Sequence, residues 1–269
     1  MHVRARISAA NYNAERNHLN QKHLDTDAEM IRGVLRDVLA LNVSMIMPST
    51  EHKSPDLLIE FAGVRILTEV ERKTDDQKLR DLLNGENFAT LQYSGARTEE
   101  RVKKAWRQIR DYPNRKSSDS TLVWLIAGQR DMTILTSQAV IPRLYGIETL
   151  EGYTETDDYY SKPCYFFHES MFFKYKHLDA VVVNSCDDVT LCLNPYSPRF
   201  VSWKAYPLLS AFSTVIDPVL EESTGAALLA DCDTDRGDTN QIIMYLRKKY
   251  NLRRPTITRF VLVNMPVED

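Results

Sequence analysis

Asp56, Glu69 and Glu71 are the residues whose types and spacing best suit chemistry. Asp56 opens the run Asp56-Leu57-Leu58-Ile59-Glu60-Phe61, and the two glutamates close the run Val64 to Glu71, followed by Arg72 and Lys73. Ala62-Gly63 between the runs has the length of a hairpin connection. Side chains alternate along a strand, so Glu69, Glu71 and Lys73 share one side while Val64, Ile66 and Val70 share the other. A tight hairpin sets Asp56 across from that acidic edge. Crowded carboxylates repel, and burying them unpaired is costly. A hard divalent cation removes the conflict, because magnesium takes one or two protein carboxylates and fills its other positions with water and phosphate oxygens. A metal held this way activates water and neutralises charge on a phosphodiester. A nearby lysine stabilises that charge or helps to deprotonate the water.

The surrounding pattern predicts the elements that would position these groups. Asp25-Thr26-Asp27 offers capping oxygens to a helix whose apolar residues are Met30, Ile31, Val34, Leu35, Val38 and Leu39, ending near Asn42. Three strands follow, at 43–47, 56–61 and 64–71, and a short helix is expected at 78–83. Thr98 is read as the cap of a helix carrying Val102, Ala105, Trp106, Ile109 and Tyr112, which Pro113 stops. The continuous apolar run Thr121 to Ala127 reads as a strand buried on both faces. The order is helix, three strands, helix, strand, a mixed α/β core. Residues 178–183 and 189–193 read as a second hairpin. The sequence turns helical from about Ala205, and Asp238 with Gln241 forms a capping-box pattern for a helix to about Tyr250, before a strand at 256–264. Three regions are therefore expected: an arm at 1–25, an α/β domain at 26–204 and a mainly helical, winged-helix-like region at 205–269.

The Pro55-Asp56 pair, the spacing to Glu69 and the acid-x-Lys-like end of the second strand resemble the PD-(D/E)XK nuclease superfamily, whose core has the same αβββαβ order. Gln108 and Tyr112 match the QxxxY pattern of its RecB-like members, and an acid on the first helix, here Glu29, is common in the family. The resemblance covers about residues 26 to 127. The acid-x-Lys element fits two registers. Glu71-Arg72-Lys73 supplies the family lysine but puts Arg72 where a core-facing residue is usual. Glu69-Val70-Glu71 puts Val70 there, which the facing argument favours, and substitutes Glu71 for the lysine. The resemblance implies a restriction-endonuclease-like fold and a magnesium-dependent (or manganese-dependent) nuclease acting on DNA. Asp56, Glu69 and Glu29 would be metal ligands. Asp56, Glu69, Glu71 and Lys73 would be the catalytic set, with Gln108 and Tyr112 in support. A catalytically inactive relative serving as a nucleic-acid-binding or assembly subunit is the alternative it leaves.

Composition bounds the reading. Of 269 residues, 43% are hydrophobic and 26% charged, as in an average globular protein, which excludes a mostly disordered chain. No apolar run approaches the roughly 18 residues of a membrane span, and the polar start has no signal core. The four cysteines lack CxxC spacing and read as reduced thiols of a cytoplasmic protein. Net charge is only −3, yet it is segregated: Arg97 to Lys116 holds eight Lys/Arg against three acids. Local basic surface attracts phosphate even when total charge is near neutral. Arg101, Lys103, Lys104 and Arg107 are accordingly expected to track a nucleic-acid backbone. A homodimer is compatible with the sequence. Asp231 to Gly237 lacks the Gly and Glu positions of a calcium loop, and no phosphate-cradling or dinucleotide fingerprint occurs.

Overall fold

The computed structural model describes residues 25–48, 51–73, 96–127, 140–185 and 189–258. The expected arm before residue 25 and the short helix at 78–83 lie outside them. The described chain forms two units. One gathers residues up to 73, 96–127 and 175–217; the other gathers 140–174 and 218–258.

The first unit runs α1 (Asp25–Leu39), β1 (Asn42–Met45), β2 (Leu57–Phe61), β3 (Val64–Lys73), α2 (Ala96–Arg110) and β4 (Ser120–Ala127). Among the described residues this is the expected mixed α/β arrangement, with helix, three strands, helix and strand in that sequence. Two boundaries differ. Ala40 adopts φ 52° and turns the chain out of α1 before Asn42, which instead begins β1. Helix α2 starts at Ala96, so Thr98 lies inside its first turn rather than capping it. Ala62 and Gly63 both have positive φ, the turn that matches the twist of a two-residue hairpin.

Beyond β4 this unit adds β7 (Ala180–Asn184), β8 (Val189–Leu193), the short helix α4 (Phe200–Lys204), a 3₁₀ turn at Pro207–Ala211 and β9 (Thr214–Ile216). The seven strands lie in the order β1-β2-β3-β4-β7-β8-β9. β1, β2 and β3 are antiparallel neighbours, β3, β4 and β7 run parallel, and β7 and β8 form the expected hairpin. β4 is the buried centre: Leu122 to Ile126 are each at most 3% exposed. α1 lays Ala28, Ile31, Val34 and Leu35 on the sheet face that carries Ile66, Val70, Leu122 and Trp124. Burying such side chains contributes roughly 1.5–3 kcal/mol each.

The second unit contains β5 (Glu148–Thr154), β6 (Tyr159–Tyr165), α3 (Met171–Lys174), α5 (Pro218–Ser223), β10 (Leu228–Leu229), α6 (Thr239–Tyr250) and β11 (Leu252–Thr258). Its sheet order is β10-β6-β5-β11. Asp238 caps α6 by accepting from the Gln241 N–H at 3.0 Å, as the capping-box pattern predicts, and Asn251 ends the helix in the left-handed region. Ile242 and Leu246 of α6 pack with Leu150, Cys164, Phe167 and Leu252. The region after 205 is thus mixed rather than mainly helical. Its divide does not fall at 204/205, because β10 and β11 complete the sheet begun by β6 and β5, while residues 205–217 stay with the first unit. The aromatic residues between Tyr159 and Tyr175 supply core: Phe166, Phe167 and Phe172 are at most 1% exposed. Among the described residues, no helix is long and apolar enough to cross a membrane.

Candidate active site

The site is built by one strand register and one helix face. The β2–β3 ladder pairs Leu57 with Thr68, and one step further Asp56 comes alongside Glu69. There the Asp56 carboxylate takes over from the backbone: its Oδ2 accepts the Val70 N–H at 2.8 Å. The Asp56 carbonyl accepts from the Ile46 N–H at 2.8 Å, which ties the same residue to the end of β1.

Alternation along β3 decides which side chains meet. Val70 is in the core with α1, and the Arg72 guanidinium bonds Asp27 of α1, its Nε at 2.7 Å. Glu69 and Glu71 therefore face the other way, toward α2, and they are 3% and 4% exposed. Helix α2 meets them with Arg101, Lys104 and Gln108, three residues spaced to share one face. Gln108 Nε2 donates to Glu69 Oε1. Lys104 Nζ donates to Glu71 Oε1, and Arg101 Nη1 donates to Glu71 Oε2 at 3.1 Å. The adjoining face of α2 buries Val102, Ala105, Trp106 and Ile109, which holds the polar stripe against the strand.

The electrostatics follow from burial. Burial pushes the Glu69 carboxyl up to about 9, with the charges of Asp56 and Glu71 adding to it and Lys104 opposing it. Burial also raises Asp56, against the Val70 N–H that favours its ionised form. Asp56 and Glu69 each act on the other's ionisation. Glu69 Oε2 is buried and accepts no hydrogen bond.

The structure brings Asp56, Glu69, Glu71 and Gln108 together, and adds Lys104 and Arg101, which the sequence assigned only to backbone tracking. Their signal was present in the three- and four-residue spacing that puts both on the Gln108 face. Lys103 is half-buried and Arg107 is exposed. Tyr112 lies past the end of α2, its ring 6.3 Å from that of His52 in the loop before Asp56. Glu29 is not brought to the acids: it is exposed on α1, which packs on the opposite sheet face, and pairs with Arg32 at 2.6 Å. The Lys73 side chain lies outside the described residues.

Among the described residues, no group of three or more His, Cys, Asp and Glu side chains is arranged to hold a metal ion. The third acid, Glu71, is already engaged by two cations. Asp56 and Glu69 could supply the one or two carboxylates that a hard cation takes from a protein: Glu69 has a buried oxygen without a hydrogen-bond partner and Asp56 is a second carboxylate beside it. The chain matches no protein-family model, no curated protein and no solved structure.

Proposed function

We propose that the first unit is a divalent-metal-dependent nuclease with a restriction-endonuclease-like core, hydrolysing phosphodiester bonds in DNA. The observation that carries this reading is the pairing of Asp56 with a buried, incompletely satisfied Glu69 beneath a helix that supplies cations. The αβββαβ order, and the placement of Val70 in the core behind Glu69 and Glu71, support the Glu69-Val70-Glu71 register.

Asp56 and Glu69 would hold the cation, which when bound lowers the pKa of a coordinated water and neutralises charge on the scissile phosphate. Gln108 fixes the Glu69 carboxylate by holding Oε1, so Oε2 is the oxygen that would be available to a cation. Lys104 stands within electrostatic reach of all three acids and replaces the family lysine as the positive centre that stabilises the developing charge. Lys103 and Arg107 lie on the same helix for contacts to the flanking backbone.

The engagement of Glu71 by Arg101 and Lys104 favours a second reading, a catalytically silent member of this fold that binds nucleic acid. One cleavage assay separates the two. Labelled DNA should be cut with magnesium or manganese and not with chelator. Asp56→Ala and Glu69→Ala should each lower the rate by at least about 10³-fold, in the range of other displaced catalytic groups, while their circular dichroism matches the wild type. Binding without metal-dependent cleavage would support the silent relative, and full activity in both variants would remove the site.

A further inference from the structure

Glu71 differs from its two acidic neighbours in having both oxygens already taken. Its carboxylate is 4% exposed, whereas the Arg101 and Lys104 side chains that hold it are 44% and 50% exposed. The anion sits inward and the cations reach to solvent. A guanidinium and an ammonium one helical turn apart, each on a different oxygen of one anion, form an arrangement that suits a phosphodiester as well as a carboxylate, since both present two charged oxygens. Among the described residues Arg101 and Lys104 each bond only Glu71.

Building on the nuclease reading, we propose that Arg101 and Lys104 form a phosphate clasp and that Glu71 is its resident occupant, which a phosphate of the substrate strand displaces from Arg101. The two cations do not leave together, because a buried carboxylate stripped of every partner is strongly disfavoured. Lys104 stays, because its charge also acts on Asp56 and Glu69, whereas the planar guanidinium of Arg101 is the better phosphate ligand. Arg101, held by one 3.1 Å bond and nearly half exposed, swings to the substrate. Glu71 thereby sets the affinity for nucleic acid, weakening it by competing for one positive charge. A tethered competitor is effective because its local concentration is high.

The test is binding of a fluorescent 20-base-pair DNA duplex to the full-length protein in EDTA, read by anisotropy over a salt series. Glu71→Gln keeps an acceptor for Lys104 and should tighten binding about tenfold. It should leave the slope of log K against log salt at the wild-type value, because the same Arg101–phosphate contact forms in both complexes. Arg101→Ala should weaken binding and flatten the slope by about 1. In the Arg101→Ala background, Glu71→Gln should give no gain. If Glu71→Gln does not fold, Glu71→Asp, which retracts the carboxylate by one methylene, should show the same coupling at smaller size. Unchanged or weaker binding by Glu71→Gln, or a gain that persists without Arg101, overturns the clasp and leaves the nuclease reading intact. If the wild type binds no DNA at low salt, the nuclease reading falls, and the clasp with it.

Discussion

A carboxyl group walled from water beside another carboxylate keeps its proton, and Glu69 does so up to about 9. In an unfolded chain the same group ionises near 4.5. Between these values the native state binds more protons than the unfolded state, so this contribution to stability is complete below about 4.5 and is lost as pH rises toward 9. In chelator, the melting temperature should therefore fall as pH rises from 6 to 9. Glu69→Gln should flatten that fall and melt about 5 °C above the wild type at pH 8.5. A wild-type profile with no downward slope would show that Glu69 is ionised in the native protein. At this scale the sequence showed which acids could meet, because strand alternation is local. It did not show Lys104 at Glu71, a contact that depends on how a helix 33 residues on is laid over the strand.

Elements were legible wherever a local pattern was strong. The apolar spacing of α1 and α2, the Ala62-Gly63 turn and the Asp238 cap all have physical signals within a few residues. The pairing of distant elements has no such signal. Asp179 is an example: it is fully buried at the residue before β7 and accepts from the Thr121 N–H at 2.7 Å, the Arg199 Nε at 2.9 Å and the Ser197 hydroxyl. It locks the start of β4 to β7 and to the turn before α4. Asp179→Ala would remove the carboxylate paired with Arg199 and leave its Nε and the buried Thr121 N–H without their acceptor, and should cost about 3–5 kcal/mol in urea unfolding. Metal-binding stoichiometry should be unchanged, because Asp56 and Glu69 are held by other contacts. A loss below about 1 kcal/mol would mean that the β4–β7 ladder holds without this lock.

Over the whole molecule, segregated charge matters more than the net −3. The described part of α2 carries Lys103, Lys104 and Arg107 in two turns. Reversing Lys103 and Arg107 to Glu should weaken DNA binding at least about tenfold and flatten the salt slope by about 2, without altering cleavage of saturating substrate. Equal weakening at all salt concentrations would place these residues away from the backbone. The composition of the second unit was the least legible feature, since β11 joins β5 across about a hundred residues and only the completed sheet reveals that pairing. Whether Asp56 and Glu69 hold one divalent cation is read by a calorimetric titration with manganese at pH 7.5 in two buffers of different ionisation heat. Binding of one ion with release of about one proton from Glu69, lost in Asp56→Ala, is the predicted result. No binding, or binding that survives Asp56→Ala and Glu69→Gln unchanged, would contradict the account.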